Sequence, residues 1–433
     1  MKAKVNKYWT QSLALSSALL LTSVILGSME ARIDKITNQL LLISYLIFST
    51  VASIKSKKLL KPDTFFIQAL SIYTLISGIN LSETSIFPII DSQNEQLSIL
   101  FILFFSLGMA IYSEPIALDA NKKKSILIPL ILSTCAPLSW AQLGNIPIFM
   151  GEDGRRDANP ILYLGLIFGW LVTCAILYPR IKCTSSKIER ANLTAFALAY
   201  AILLLASGYR TPLFSGILVI AFYYTNQNNK KISIKTILTL LGSFALINMI
   251  FVFRIYSEYG AAGIDKYSER AGIKDSNYLE IALIYNFKES SSNFQTIRNN
   301  EKNTSPGLGQ YFLENIATIL PGHSQGYGAT YNKLTYAETE RTKTATIIAP
   351  GYIDFGTLGV ALLGFTLGLA QSYLSLIAKN KPKLKSDIFF TSSILFSFYA
   401  IWIHTGIIFQ PANYLILLMA ITFIFLPNRL KPW

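Results

Sequence analysis

Charge is scarce in this sequence. Asp, Glu, Lys and Arg together make up 14% of 433 residues, while 52% are hydrophobic. A soluble domain carries about 25% charged residues, so an ordinary water-soluble globule is excluded and a chain that crosses a bilayer several times is indicated. Cysteine occurs only three times: Cys135 and Cys174 lie in apolar runs and Cys183 in a basic segment. That leaves neither a disulfide framework nor a thiolate metal site. Histidine occurs only twice, at His323 and His404. Walker A, HExxH, CxxC and DxD-type motifs are all missing, so no metal site and no cofactor is expected. The first apolar run, behind the basic stretch Met1 to Lys7, lacks an A-x-A-like cleavage site and reads as a retained span, not a signal peptide.

What is present is a series of apolar runs long enough to cross a membrane. They fall at about 9–28, 37–54, 64–81, 96–116, 125–144, 160–178, 191–208, 211–225, 236–253, 351–378, 388–406 and 407–426. The expected fold is an all-α polytopic membrane protein of about 12 transmembrane helices. It has three parts: residues 1–254 with nine spans, an intervening loop at 255–346, and residues 347–433 with the last three.

The net charge of +14 does not point to nucleic acid, because 23 of the 38 Lys and Arg fall in alternate short segments. These include Lys55, Lys57, Lys58 and Lys61, then Lys122 to Lys124, Lys230 and Lys231, and Lys379 to Lys385. Clustered basic residues between spans mark the cytoplasmic face. Both termini are therefore expected inside, and the loop 255–346 outside. A cysteine placed at Ser291 in that loop is expected to be open to a membrane-impermeant reagent.

Some arginines run against this bias. Arg210 sits in the turn Ser207-Gly208-Tyr209-Arg210-Thr211-Pro212 between two spans, on the expected outer face. Gly208 tolerates unusual dihedrals and Pro212 suits the first turn of a helix. A cation beside a helix N-terminus favours an anionic ligand, although an arginine at a helix end also snorkels to the headgroups. Arg254, at the end of the ninth span, and Arg155 and Arg156 are expected on the same face.

The loop 255–346 is longer than ordinary connections between spans. It is expected to be partly helical, with amphipathic helices at Asn277 to Lys288 and Leu308 to Leu320 lying on the membrane surface. His323 heads a glycine-flanked turn, and Arg341 lies near the loop's end, with pairing to Glu338 or Glu340 as its alternative role. Beyond it, Tyr352-Ile353-Asp354-Phe355-Gly356-Thr357-Leu358-Gly359 opens a span with a carboxylate near its start. Asp354 suits a base, a helix cap or a packing role equally.

The spans, the Gly-x-Arg turn, the long second-half loop and the Tyr352 to Gly359 run resemble the Wzy-type polymerases of oligosaccharide repeat units, a group that also includes the O-antigen ligases. The resemblance implies a metal-independent glycosyltransferase on the outer face of the cytoplasmic membrane. Its donor and acceptor are glycans on polyprenyl diphosphate carriers such as undecaprenyl diphosphate. Its implied partners are membrane lipids, a chain-length regulator and a flippase. Arg210 and Arg254 would hold the departing diphosphate, with Arg341 as a third candidate for it, and Arg155 and Arg156 would bind substrate. His323 would serve as base or hold a phosphate, Asp354 is the other candidate base, Tyr327 and Tyr331 would stack on sugars, and Tyr209 would bind substrate. An O-antigen-ligase-like transferase is the nearest alternative. A 12-helix transporter or flippase is another, but such proteins are typically built from two similar halves with polar midplane helices, which this chain lacks.

Overall fold

The computed structural model describes residues 31–56, 62–78, 90–111, 127–149, 159–207, 210–228, 260–265, 286–300, 307–317, 327–335, 344–380 and 385–406, with isolated positions between 242 and 256 and at 416–419. The predicted spans 9–28, 236–253 and 407–426 lie wholly or mostly outside these residues. Among the described residues the fold is helical, with no strand. The helices are α1 (Ala31–Ser56), α2 (Pro62–Gly78), α3 (Ser92–Ala110), α4 (Leu127–Ser133), α5 (Cys135–Leu143), α6 (Pro160–Cys183), α7 (Lys187–Ala206) and α8 (Arg210–Asn228). They continue with α9 (Asn286–Asn300), α10 (Gln310–Ala317), α11 (Tyr327–Leu334), α12 (Ala349–Asn380) and α13 (Lys385–Thr405).

Among the described residues three stretches are long and apolar enough to cross a membrane: Lys187–Ala206, Ala349–Ile377 and Ile388–Thr405. Shorter apolar helices run over Lys35–Val51, Thr64–Gly78, Ile161–Leu177 and Thr211–Tyr223. With this composition the chain is a multi-pass membrane protein. Large apolar side chains such as Leu40, Ile47, Leu198, Ile202, Leu358 and Leu362 are exposed, as a lipid-facing surface requires.

The predicted span 125–144 is two helices. Pro137 lacks an N–H and its ring crowds the carbonyl of Ser133 four residues back, so the chain turns at Thr134, whose N–H bonds Ile131 O at 3.2 Å. The span expected at 96–116 begins earlier, because the Asp91 side chain accepts the Asn94 N–H at 3.0 Å and caps α3. The link between α7 and α8 is short, as the sequence suggests: Ser207 caps α7 and α8 opens at Arg210.

α3 and α12 pack most intimately. A Cβ on Gly364 would lie 2.7 Å from the Phe101 carbonyl oxygen, and one on Gly368 would meet the backbone of Phe105 and Met109. Gly108 does the same from the other side, against Phe365 and Leu369. This is small-residue packing, in which two backbones touch where lipid offers no hydrophobic drive between helices. Around that seam lie Phe66, Phe101, Phe105 and Tyr399, with ring centroids 4.4 to 5.9 Å apart. α12 is itself broken: Phe355 sits at φ −138°, ψ 15° and Gly356 at φ 61°, ψ −145°, the latter a conformation open essentially to glycine alone. The break brings the backbones of Gly351 and Gly359 into contact.

Candidate functional site

One end of the bundle gathers the end of α2, the start of α3, the segment leading into α12 and the end of α13. The helices α9 and α11 close over it. The centre of this closure is α9, a helix that hydropathy does not announce. Its residues Asn286 to Asn300 are mostly polar, yet Lys288, Ser290, Ser291, Ser292, Gln295 and Arg298 are all buried.

Buried polar groups need partners, and the side chains of α9 find theirs on many different segments. Ser290 Oγ lies 3.0 Å from His404 Nδ1 on α13 and 3.0 Å from Thr344 Oγ1. Ser291 Oγ donates to Ser77 Oγ at the end of α2 (2.9 Å), and Asn293 Nδ2 donates to Thr344 O (2.8 Å). Gln295 Oε1 accepts the Asp91 N–H at 3.3 Å, and Arg298 pairs with the Asp91 carboxylate. Asn300 Nδ2 donates to Leu334 O on α11 at 2.9 Å. Phe294 meets Tyr352 edge-on, with centroids 5.5 Å apart.

Beneath α9 lies a cavity of about 10 Å³, room for one water. Tyr73, Ser77, Asn94, Ser98, Ser291 and Thr346 line it. Among the described residues the Asn94 side-chain amide and the Thr346 hydroxyl are buried without a hydrogen-bond partner, which suits them to a polar guest of that size. Half-buried His404 sits beside it, its ring centroid 6.4 Å from that of Tyr73. An imidazole anchored at one nitrogen by a buried serine is oriented for proton transfer.

A second network centres on Asp354, which is 1% exposed at the break in α12. Its Oδ1 accepts the Tyr311 N–H at 3.1 Å, at the start of α10, and its Oδ2 accepts the Tyr327 hydroxyl at 3.0 Å. The backbone adds two bonds, from Gly307 N to Ile353 O (3.0 Å) and from Leu308 N to Asp354 O (2.9 Å). Asp354 therefore caps α10 and anchors α11 at once. Of its expected roles as base, cap or packing residue, the geometry displays the cap.

Tyr327 and Tyr331 are brought to the same place, but not as a platform for sugars. Both rings are buried and stacked on one another, centroids 5.8 Å apart. Burial, and then the Asp354 charge, push the Tyr331 phenol above its ordinary range. The remaining expected site residues are not brought into view. Tyr209, Arg155, Arg156, Arg254, His323 and Arg341 lie outside the described residues, and Arg210 is described only as the first residue of α8. Ser291 is corrected: it is buried, so it is a poor labelling position, whereas Asn299 on the same helix is exposed. Among the described residues no group of three His, Cys, Asp or Glu could hold a metal ion.

The sequence reading missed Lys288, Ser290, Arg298 and the role of His404. One signal points to the helix, though not to its buried polar face: Phe287, Phe294 and Ile297 stand seven and three residues apart, one face of a helix.

In comparison with known proteins, a family model described as "Putative O-antigen polymerase" matches residues 39–417. No curated protein and no solved structure matches the chain.

Proposed function

Starting from the fact that the chain belongs to the O-antigen polymerase family, we propose that it joins oligosaccharide repeat units carried on polyprenyl diphosphate, at a site on the outer face of the cytoplasmic membrane. The observation that carries this reading is the family match over nearly the whole chain, including both the loop helices α9 to α11 and the broken α12 on which they rest.

The chemistry is displacement at an anomeric carbon. A hydroxyl of the acceptor repeat unit attacks that carbon, the bond to the lipid diphosphate breaks, and the diphosphate leaves with its negative charge. The site must stabilise that developing charge and receive a proton from the attacking hydroxyl. Arg210 at the opening of α8 and Arg254 supply the first, since the guanidinium fork matches phosphate oxygens and works without a metal. Arg341, Arg155 and Arg156 are further phosphate contacts, Tyr209 a sugar contact, and His323 a base. Asp354 serves this site by holding the loop helices in place. A chain-length regulator and a flippase are expected to work beside it.

The test uses purified protein with polyprenyl-diphosphate-linked repeat units in the presence of chelator. A ladder of lengthening glycans is expected from the wild type. Arg210→Ala is expected to make polymer about 10²–10³-fold more slowly per folded molecule, and Arg210→Lys to remain impaired, having lost the bidentate fork. Activity that depends on added magnesium or manganese, or an Arg210→Ala variant with normal specific activity, overturns the arginine mechanism.

A further inference from the structure

The polar side chains around the cavity under α9 fall into two groups. Ser77 and Ser98 donate to their own helices, to Tyr73 O at 2.8 Å and Asn94 O at 3.0 Å, and Ser291 donates to Ser77 Oγ. Asn94 and Thr346 have no such outlet. They are 4% and 5% exposed, and among the described residues both ends of the Asn94 amide and the Thr346 hydroxyl lack a partner. Their backbones are fixed: the Asn94 N–H bonds Asp91 Oδ1, and Thr346 O accepts the Ala349 N–H at 3.0 Å. Two separate segments, α3 and the lead-in to α12, thus bring unmet polar groups to the wall of one cavity. Groups left so are costly, and they define what would satisfy them. The set holds a donor, the Asn94 NH₂, as well as acceptors, and exchanging the two ends of the amide changes nothing. A bare cation satisfies only acceptors and an anion only donors. Water does both, and it fits a volume of about 10 Å³.

We propose that the cavity is a built site for one water, held by Asn94 and Thr346, and that this water positions the Ser290–His404 pair. Ser291 and Tyr73 bound the cavity. Ser290, the next residue on α9, holds His404 Nδ1 at 3.0 Å. Tyr73 faces both serines and the imidazole. The water therefore stands behind the two groups that the imidazole leans on, and it ties the starts of α3 and α12 to α9. A buried polar network is rigid only when each member is satisfied, so the water completes the support of His404. Asn94 and Thr346 act on His404 as positioning residues.

The test compares full-length wild type, Asn94→Leu, Thr346→Val and the double variant in detergent. X-ray radiolysis hydroxylates aromatic rings that lie beside water. Tyr73 and Phe294 line the cavity and are buried, yet both are expected to be hydroxylated in the wild type and severalfold less in the double variant, whose wall is apolar. Unmodified rings in the wild type, or equal modification in the double variant, overturn the site. Thr346→Val keeps the shape and drops the hydroxyl. With a water to hold, it is expected to melt lower than the wild type; with none, it removes an unmet group and melts at the same temperature or higher. Asn94→Leu is expected to behave alike, and the double variant to lose less than the two single losses added, since both release the same water. Single variants that melt higher, or losses that add in full, overturn the shared guest. The chain has two histidines, so in a His323→Gln background the ring-nitrogen resonances belong to His404 alone. They are expected to shift in Asn94→Leu. Unchanged resonances overturn the positioning of His404 by this water.

Discussion

Two helices between α8 and α12, α9 and α10, solve opposite problems. α9 is polar and buried; its stability comes from hydrogen bonds and an ion pair to α2, α3, α11, α13 and the segment at Thr344. α10 is amphipathic and exposes its apolar side: Leu313 is 66% exposed, and Phe312 and Ile316 lie beside it. That face continues into Phe355, Leu358 and Leu362 of α12, against which α10 packs. A polar helix can be buried only where each group is matched, so α9 is fixed by many specific bonds. An apolar face at the rim of a membrane protein needs only lipid. The first device gives a site its rigidity, and the second gives a loop its anchor.

The comparison predicts a steep gradient of mutational effects. Asp91→Ala leaves Arg298 buried without its counter-ion. It is expected to cost about 3 kcal/mol, at the low end for a broken buried pair because Asp91 is itself partly exposed. Asp91→Ala combined with Arg298→Met is expected to recover much of that loss. Thermal unfolding in detergent measures both. If the single variant melts with the wild type, α9 is not held as described.

Asp354→Ala removes the cap of α10 and the acceptor of Tyr327. A cost of about 1–2 kcal/mol is expected, concentrated in α10 and α11 and seen as faster amide exchange there. Tyr327→Phe should show a smaller version of the same pattern. Exchange that rises evenly over the protein would contradict a local latch.

At the bottom of the gradient, Leu313→Gln on α10 is expected to change unfolding by no more than about 0.5 kcal/mol. It should, however, make α10 more accessible to proteolysis in nanodiscs. A large loss of stability would mean that α10 packs against protein, not lipid.

Lys288 adds a pH test of the same contrast. Its folded-state pKa is lowered by burial, so the unfolded chain binds more protons. Stability should therefore rise as pH climbs from the folded value toward the ordinary lysine value of 10.5. The gain should vanish in Lys288→Met.

Much of the bundle was legible because its signals are local. Apolar length marked the spans, and Gly208 and Pro212 the turn at Arg210. Pro137 carried the break in the fifth predicted span, but a hydropathy window averages over one proline. α9 was illegible for a deeper reason: its burial is set by partners such as Asp91, Ser77 and His404, which are 114 to 214 positions away in sequence. No local pattern of Ser290, Ser291 and Ser292 distinguishes a polar surface loop from a polar helix whose bonds are all made inside. Tyr327 and Tyr331 misled in the same way, since an aromatic pair suited to a sugar is equally suited to stacking on itself.

The account's central claim is that this chain lengthens glycans. It is tested most directly by deleting the chain from its own cell and measuring the length of the surface glycan, with the wild-type sequence restored as control. The account predicts single repeat units after deletion and a full ladder after restoration. Intact long polymer left on its lipid carrier would contradict it and identify a ligase instead.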